Sequence, residues 1–136
     1  MIALRKINKE EYLKAKSILE KENIKDDLLK GIVYVFIDNN IIIGVGKIRL
    51  EGDYGVLEYV IIEEEYRGLN LGDALLRSLL FKAESIGIKK IFYYNMNDYL
   101  FKKGFKYGEE ETGSYKMFLN IEDFFSKGCC SYEDEI

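Results

Sequence analysis

At 136 residues, with 48% apolar and 32% charged side chains, the chain is long enough for one domain with its own core and too apolar to be disordered. A formal net charge of −4 argues against an extended basic footprint for nucleic acid; it mildly favours a cationic small molecule or a basic peptide as partner, although solubility alone accounts for it. The absence of histidine removes Ser-His-Asp and Cys-His nucleophile systems and histidine-based metal sites, so any general base is a carboxylate, lysine, tyrosine, cysteine or water, and no metal is expected.

In chain order, "IALRKI" (Ile2 to Ile7) is short and partly alternating, which predicts a strand. Asn8 with Glu11 three residues on is a variant of the capping box. Tyr12, Ala15, Ile18 and Leu19 then recur at helical spacing to about Glu22. "IKDDLLK" is expected to form a second, short helical piece ending at Gly31. Two runs rich in β-branched residues flank Asp38-Asn39-Asn40, a hairpin signal because Asp and Asn tolerate left-handed turn conformations. Gly44 and Gly46 in the second run point to a bulge or a close backbone approach. "YGVLEYVII" (Tyr54 to Ile62) is a further strand.

Leu71, Leu75, Leu76, Leu79, Leu80 and Ala83 make a broad apolar stripe, so 71–86 is expected as a core-facing helix ended by Gly87. "IKKIFYY" (Ile88 to Tyr94) closes a βαβ unit with parallel strands. "NDYLFKKG" is a short helix ending at Gly104. "FKYGEE" and "GSYKMFLNI" read as a final antiparallel pair. The tail packs through Phe124 and Phe125 and then frays, so the whole of 1–136 is expected as one domain with 122–136 loosely attached. No apolar run approaches the ~18 residues of a membrane span. The N-terminus lacks a basic region followed by an apolar stretch, and the adjacent Cys129 and Cys130 make no disulfide framework. A cytoplasmic protein without membrane association is expected, with both thiols inert.

The stretch "EEEYRGLNLGDALLRSLL" (Glu63 to Leu80) places a glycine-containing loop between a strand and a helix. The first turn of a helix presents unpaired N–H groups and the positive end of the dipole, a ready anion site. Gly68 and Gly72 allow close approach and unusual dihedrals, and Arg67 adds a positive charge. The expected ligand is a phosphate or pyrophosphate. Neither G-x-x-x-x-G-K-[S/T] nor G-x-G-x-x-G is present.

The loop resembles [Q/R]-x-x-G-x-[G/A] of the GCN5-related N-acetyltransferase (GNAT) family. Arg67, Asn70 and Gly72 stand at its three fixed positions, with Tyr66-Arg67-Gly68 before and Ala74-Leu75-Leu76 after them. "FKKGF" (Phe101 to Phe105) is similar to the family's late motif ending in Gly-Phe. The resemblance covers most of the chain. It implies a mixed α/β (α+β) fold in the order β-α-α-β-β-β-α-β-α-β-β.

The resemblance also implies acetyl-CoA as cosubstrate, its pyrophosphate held by Arg67, Gly68, Leu69, Asn70, Leu71, Gly72 and Asp73. Its pantetheine would lie in a gap beside the strand before the loop, on the backbones of Val60 and Ile62, with Asn95 at the far strand's end. The acceptor is a small-molecule or peptide amine, and the enzyme a monomer or homodimer. Asn70 stands where glycine is usual, and asparagine is the next-best residue at φ > 0. Leu100 stands where the family often has a proton-donating tyrosine. Tyr99 is one residue earlier, about 100° around a helix. The acid role therefore falls to Tyr99, to another tyrosine such as Tyr94, or to water. Glu58, mid-strand among Leu57, Tyr59, Val60 and Ile61, is the candidate base if burial raises its pKa; the alternative is an exposed glutamate on an alternating strand. A GNAT-fold domain that holds acyl-CoA as a sensor, without catalysis, is the competing reading.

Overall fold

The computed structural model describes residues 2–108 and 114–126. The β-branched runs build one seven-stranded mixed sheet from β1 (Ile2–Lys6), β2 (Ile32–Asp38), β3 (Ile41–Glu51), β4 (Tyr54–Ile62), β5 (Lys90–Tyr93), β6 (Lys106–Tyr107) and β7 (Met117–Asn120), in spatial order β1-β2-β3-β4-β5-β7-β6. Neighbours are antiparallel except β4 and β5, which run parallel. The β2–β3 turn lies where Asp38-Asn39-Asn40 predicts it. Asn39 and Asn40 adopt φ of 50° and 68°, left-handed values whose twist matches that of the flanking strands.

Each face of the sheet carries a helix whose apolar stripe was visible in sequence. The helix α1 (Tyr12–Glu20) buries Ala15, Ile18 and Leu19 with Val33, Val35, Val45 and Tyr59. On the other face, α2 (Leu71–Ser85) buries Leu75, Leu76, Leu79, Leu80 and Ala83 with Phe36, Ile43, Ile48, Leu57 and Ile62. Gly46 marks the close approach expected of it, because a Cβ there would lie 2.8 Å from Leu79 Cδ1. Near Gly44 the β2–β3 register slips between Phe36 and Ile37. The short helix α3 (Asp98–Lys102) follows β5, and residues 121–126 are helical. Phe124 is buried and Phe125 packs against the same core. Residues 109–113, which join β6 to β7, and Cys129 and Cys130 lie outside the described residues. No helix among the described residues is long and apolar enough to cross a membrane.

The second helical piece expected over 24–30 is absent, so one α-helix, preceded by a 3-10 turn at Lys9–Glu11, separates β1 from β2. The side chains of Asp26 and Asp27 accept hydrogen bonds from the N–H groups of Leu28 (3.3 Å) and Leu29 (2.9 Å), a local turn that competes with helix formation. Leu28 is left-handed, φ 63°, and its side chain is buried. The Asp26 carboxylate accepts from Lys47 Nζ at 2.9 Å and from the Tyr59 hydroxyl at 2.8 Å. Lys47 is buried on β3, and an unpaired charge there would be costly. Tertiary demand for a carboxylate over Lys47 therefore overrides helical propensity in this loop.

Candidate active site

The parallel pair β4–β5 holds together only at Gly55–Ile91 and Val56–Phe92. Beyond Val56, β4 continues to Ile62 while β5 ends at Tyr93, so a wedge opens between them. The ladder with β3 decides which groups face it. The Glu63 N–H donates to the Ile43 carbonyl at 2.8 Å. Antiparallel ladders alternate, so Ile61 also turns its backbone groups toward β3, while those of Val60 and Ile62 turn toward the wedge. The two backbones singled out in sequence are thus the ones left without a strand partner.

The loop at the wedge's end is shaped by three residues. Gly68 has φ +87°, and Asn70 takes φ 60° and ψ 22° immediately before α2, the left-handed geometry expected of it. Gly72 needs no such dihedral, contrary to expectation. A Cβ on it would sit 3.8 Å from Ile62 Cγ1 and 3.9 Å from Val60 Cγ1, ordinary contacts. The protein alone does not demand glycine there; it leaves a cradle that a methyl group would fill. Arg67 braces the loop, its Nε donating to the Ile62 carbonyl at 2.8 Å and its guanidinium lying 3.8 Å from Glu22. Leu69 is exposed, and Asp73 in the first turn of α2 is paired with Lys103 Nζ at 2.6 Å.

Glu58 sits on a β-bulge. Lys47 pairs with Tyr59 and Ile48 with Leu57, so Glu58 is the extra residue on β4. Its neighbours Leu57 and Val60 pack on the α2 side and Tyr59 on the α1 side. The bulge turns Glu58 to the side of Arg49, whose Nε donates to its carboxylate at 2.8 Å. The carboxylate expected among apolar neighbours is thus a half-buried ion-pair partner. The same guanidinium donates to Glu51, to the Tyr94 hydroxyl at 2.9 Å and to the Tyr115 hydroxyl at 3.3 Å. Tyr54, Phe92, Tyr115 and Tyr94 make a chain of ring contacts beside it, with successive centroids 5.1, 5.3 and 5.5 Å apart. Hydrogen bonding, to Tyr94 foremost, raises the Arg49 pKa. Burial raises the Tyr94 phenol, an effect the Arg49 hydrogen bond opposes and Glu58 reinforces.

Tyr99 belongs to a different group. Its hydroxyl lies 3.4 Å from the Asp73 carboxylate, and burial, with Asp73, pushes its pKa up to about 12. Leu100 is buried in the core, its amide donating to Asn97 Oδ1 at 2.9 Å. Asn95 is exposed just past the end of β5. The structure therefore joins Asp73 to Tyr99, and Glu58 to Tyr94 through Arg49. Arg49, Tyr115 and Lys103 were not singled out in sequence. Alternation along β3 puts Arg49 on the face of Lys47, but nothing in the sequence announces the bulge that brings Glu58 to it.

The model of the acetyltransferase (GNAT) family matches residues 1–105. Among solved structures, a GNAT-family acetyltransferase from Staphylococcus aureus Mu50 is similar at 17% identity and TM-score 0.73, over 89% of this chain and 99% of that one. A GNAT-family acetyltransferase from Brucella melitensis, solved in complex with acetyl-CoA, is similar at 13% identity and TM-score 0.70, over 88% of both chains. The PaiA N-acetyltransferase of Thermoplasma acidophilum, in complex with coenzyme A, is similar at 15% identity and TM-score 0.68, over 88% of this chain and 99% of that one. No curated protein matches the sequence.

Proposed function

The chain belongs to the acetyltransferase (GNAT) family, and from that premise we propose that it transfers an acetyl group from acetyl-CoA to a primary amine by direct attack. The observation that carries the reading is the wedge: backbone edges at Val60 and Ile62 that no neighbouring strand covers, the Ile62 carbonyl held only by Arg67 Nε among the described residues, lead to a helix start where Gly72 keeps a methyl-sized space clear. A pyrophosphate suits the Arg67 side chain and the amides of residues 68–73, since they combine a helix N-terminus with a left-handed turn. A pantetheine amide suits the Val60 and Ile62 edge, and Asn95 stands at the opposite side of the wedge.

In this reading the acceptor enters as an ammonium and must lose a proton before its nitrogen attacks the thioester carbonyl. Glu58, or a water it orders, takes that proton. The carbon–sulfur bond breaks and the departing thiolate takes a proton in turn. Tyr99 is one donor candidate; its bond to Asp73 places it at the loop. Tyr94 is the other, and its link to Glu58 through Arg49 places it nearer the base. The acceptor is a small-molecule or peptide amine in a cytoplasmic setting.

A second reading, acyl-CoA binding without catalysis, draws on Leu100, buried where the family often has a tyrosine. One experiment separates the two. Acetyl-CoA should raise the melting temperature in a saturable way, and free CoA should do the same. Sustained CoA release with any member of an amine panel then establishes catalysis. Binding without release favours the sensor, and an unchanged melting temperature at millimolar CoA removes both.

A further inference from the structure

Arg49 stands where no part of the proposed reaction requires a cation, and it is engaged on every side. It leaves β3, passes β4, and meets the end of β5 at Tyr94 and the approach to β7 at Tyr115. It thereby spans the place where β4 and β5 begin to part: the last β4–β5 pair is Val56–Phe92, and Arg49 bonds Glu58 and Tyr94, each two residues further along its strand direction. We propose that Arg49 is the positioning residue of the site: it fixes the Glu58 carboxylate on its bulge and ties it to the Tyr94 phenol across the mouth of the wedge. The inference rests on the acetyltransferase reading of the same site.

The chemistry favours this role. A guanidinium offers five N–H donors in a rigid fork, so it can fix several acceptors at once in a way an ammonium cannot. Nε goes to Glu58, one terminal nitrogen to Glu51, and the other to both phenols. Glu51, the second carboxylate, holds the fork so that its remaining donors point at Glu58 and Tyr94. A bulged residue on a partly open strand would otherwise sample several rotamers, and a 1 Å misplacement of a catalytic group can cost about 10²-fold in rate. Arg49 makes no described contact with the loop of residues 67–73, so cofactor affinity should not depend on it.

The test compares wild type, Arg49→Met and Arg49→Lys in three measurements. Calorimetry with acetyl-CoA should give the same Kd within about twofold for all three. Tyrosine-ring 13C NMR, with Tyr94 assigned through Tyr94→Phe, should show the Tyr94 phenol titrating at higher pH in Arg49→Met, since the guanidinium that favours its phenolate has gone; Arg49→Lys should restore part of the shift. CoA release with the most active of n-butylamine, spermidine and lysine amide should fall about 10- to 100-fold in kcat for Arg49→Met, with KM little changed and partial rescue by lysine. An Arg49→Met protein with wild-type rate and an unmoved Tyr94 titration overturns the proposal. A tenfold loss of acetyl-CoA affinity also overturns it, by making Arg49 part of the cofactor site. If wild type binds no acetyl-CoA, the acetyltransferase reading fails on its own, separately from any result on Arg49.

Discussion

Gly72→Ala separates what the fold needs from what the ligand needs. Gly72 occupies the first turn of α2 with no left-handed dihedral, and the added methyl would touch Ile62 and Val60 at 3.8 and 3.9 Å, neither a clash. In the free protein, alanine should be neutral or stabilising by up to about 0.5–1 kcal/mol, through lower backbone entropy of the unfolded chain. For a domain of this size that is a rise of roughly 2–5 °C in Tm. With CoA bound as proposed, the same methyl would compete with the pyrophosphate for the space beside Gly72. Losing one charge-assisted hydrogen bond costs about 1.5–3 kcal/mol, roughly a 10- to 150-fold weaker Kd. The assay is a thermal shift at a CoA concentration near 100 times the wild-type Kd. There wild type gains about 2.7 kcal/mol, and a 30-fold weaker mutant gains only about 0.9 kcal/mol. The signature is a higher Tm without ligand and a ligand-induced shift cut to about a third. Normal CoA affinity in Gly72→Ala refutes the placement of the pyrophosphate. A lower Tm without ligand refutes the space seen around Gly72.

Glu58→Gln keeps the size and the Arg49 contact but removes the basicity; kcat/KM should fall about 10²-fold with CoA affinity unchanged, and a wild-type rate and pH profile would take Glu58 out of the mechanism. Tyr94→Phe and Tyr99→Phe divide the acid role: the larger loss of kcat identifies the donor, and equal, small losses assign it to water. Asp26→Asn leaves Lys47 buried without its counter-charge and should cost about 3 kcal/mol, read as a fall of roughly 10 °C in Tm, whereas a change under 2 °C would mean the pair contributes little. Burial acts to raise the Asp26 carboxyl, but hydrogen bonds from Lys47 and Tyr59 outweigh it and hold the pKa below its ordinary value. Its stabilising contribution is therefore complete above the unfolded-state carboxyl range near pH 4 and is lost as pH falls through the lower folded value. The acid limb of a Tm-against-pH curve should flatten in Asp26→Asn.

The periodic elements were legible in the sequence because their signals are local. The stripes of α1 and α2, the Asn39-Asn40 turn and the left-handed Asn70 each depend on side chains within a few residues of one another, and the structure places them where the residues do. The family motif was legible for the same reason, being confined to Arg67, Asn70 and Gly72. Loop 24–30 read as helix, because nothing near it in sequence shows that Lys47, on the middle of β3, needs Asp26 as a partner. The orientation of Glu58 was equally hidden. Period-two alternation gives a face only while the register holds, and the one-residue slip between Lys47–Tyr59 and Ile48–Leu57 is a property of the β3–β4 pair, not of β4. Burial of Leu100, attachment of Tyr99 to Asp73 and convergence of Arg49 on Glu58 and Tyr94 likewise arise from contacts between residues far apart in the chain. The residue types by themselves pointed to a phosphate-binding loop and to a candidate carboxylate base. Only the tertiary structure decided which groups face one another, because that depends on strand register and on the electrostatic needs of side chains the local pattern does not contain.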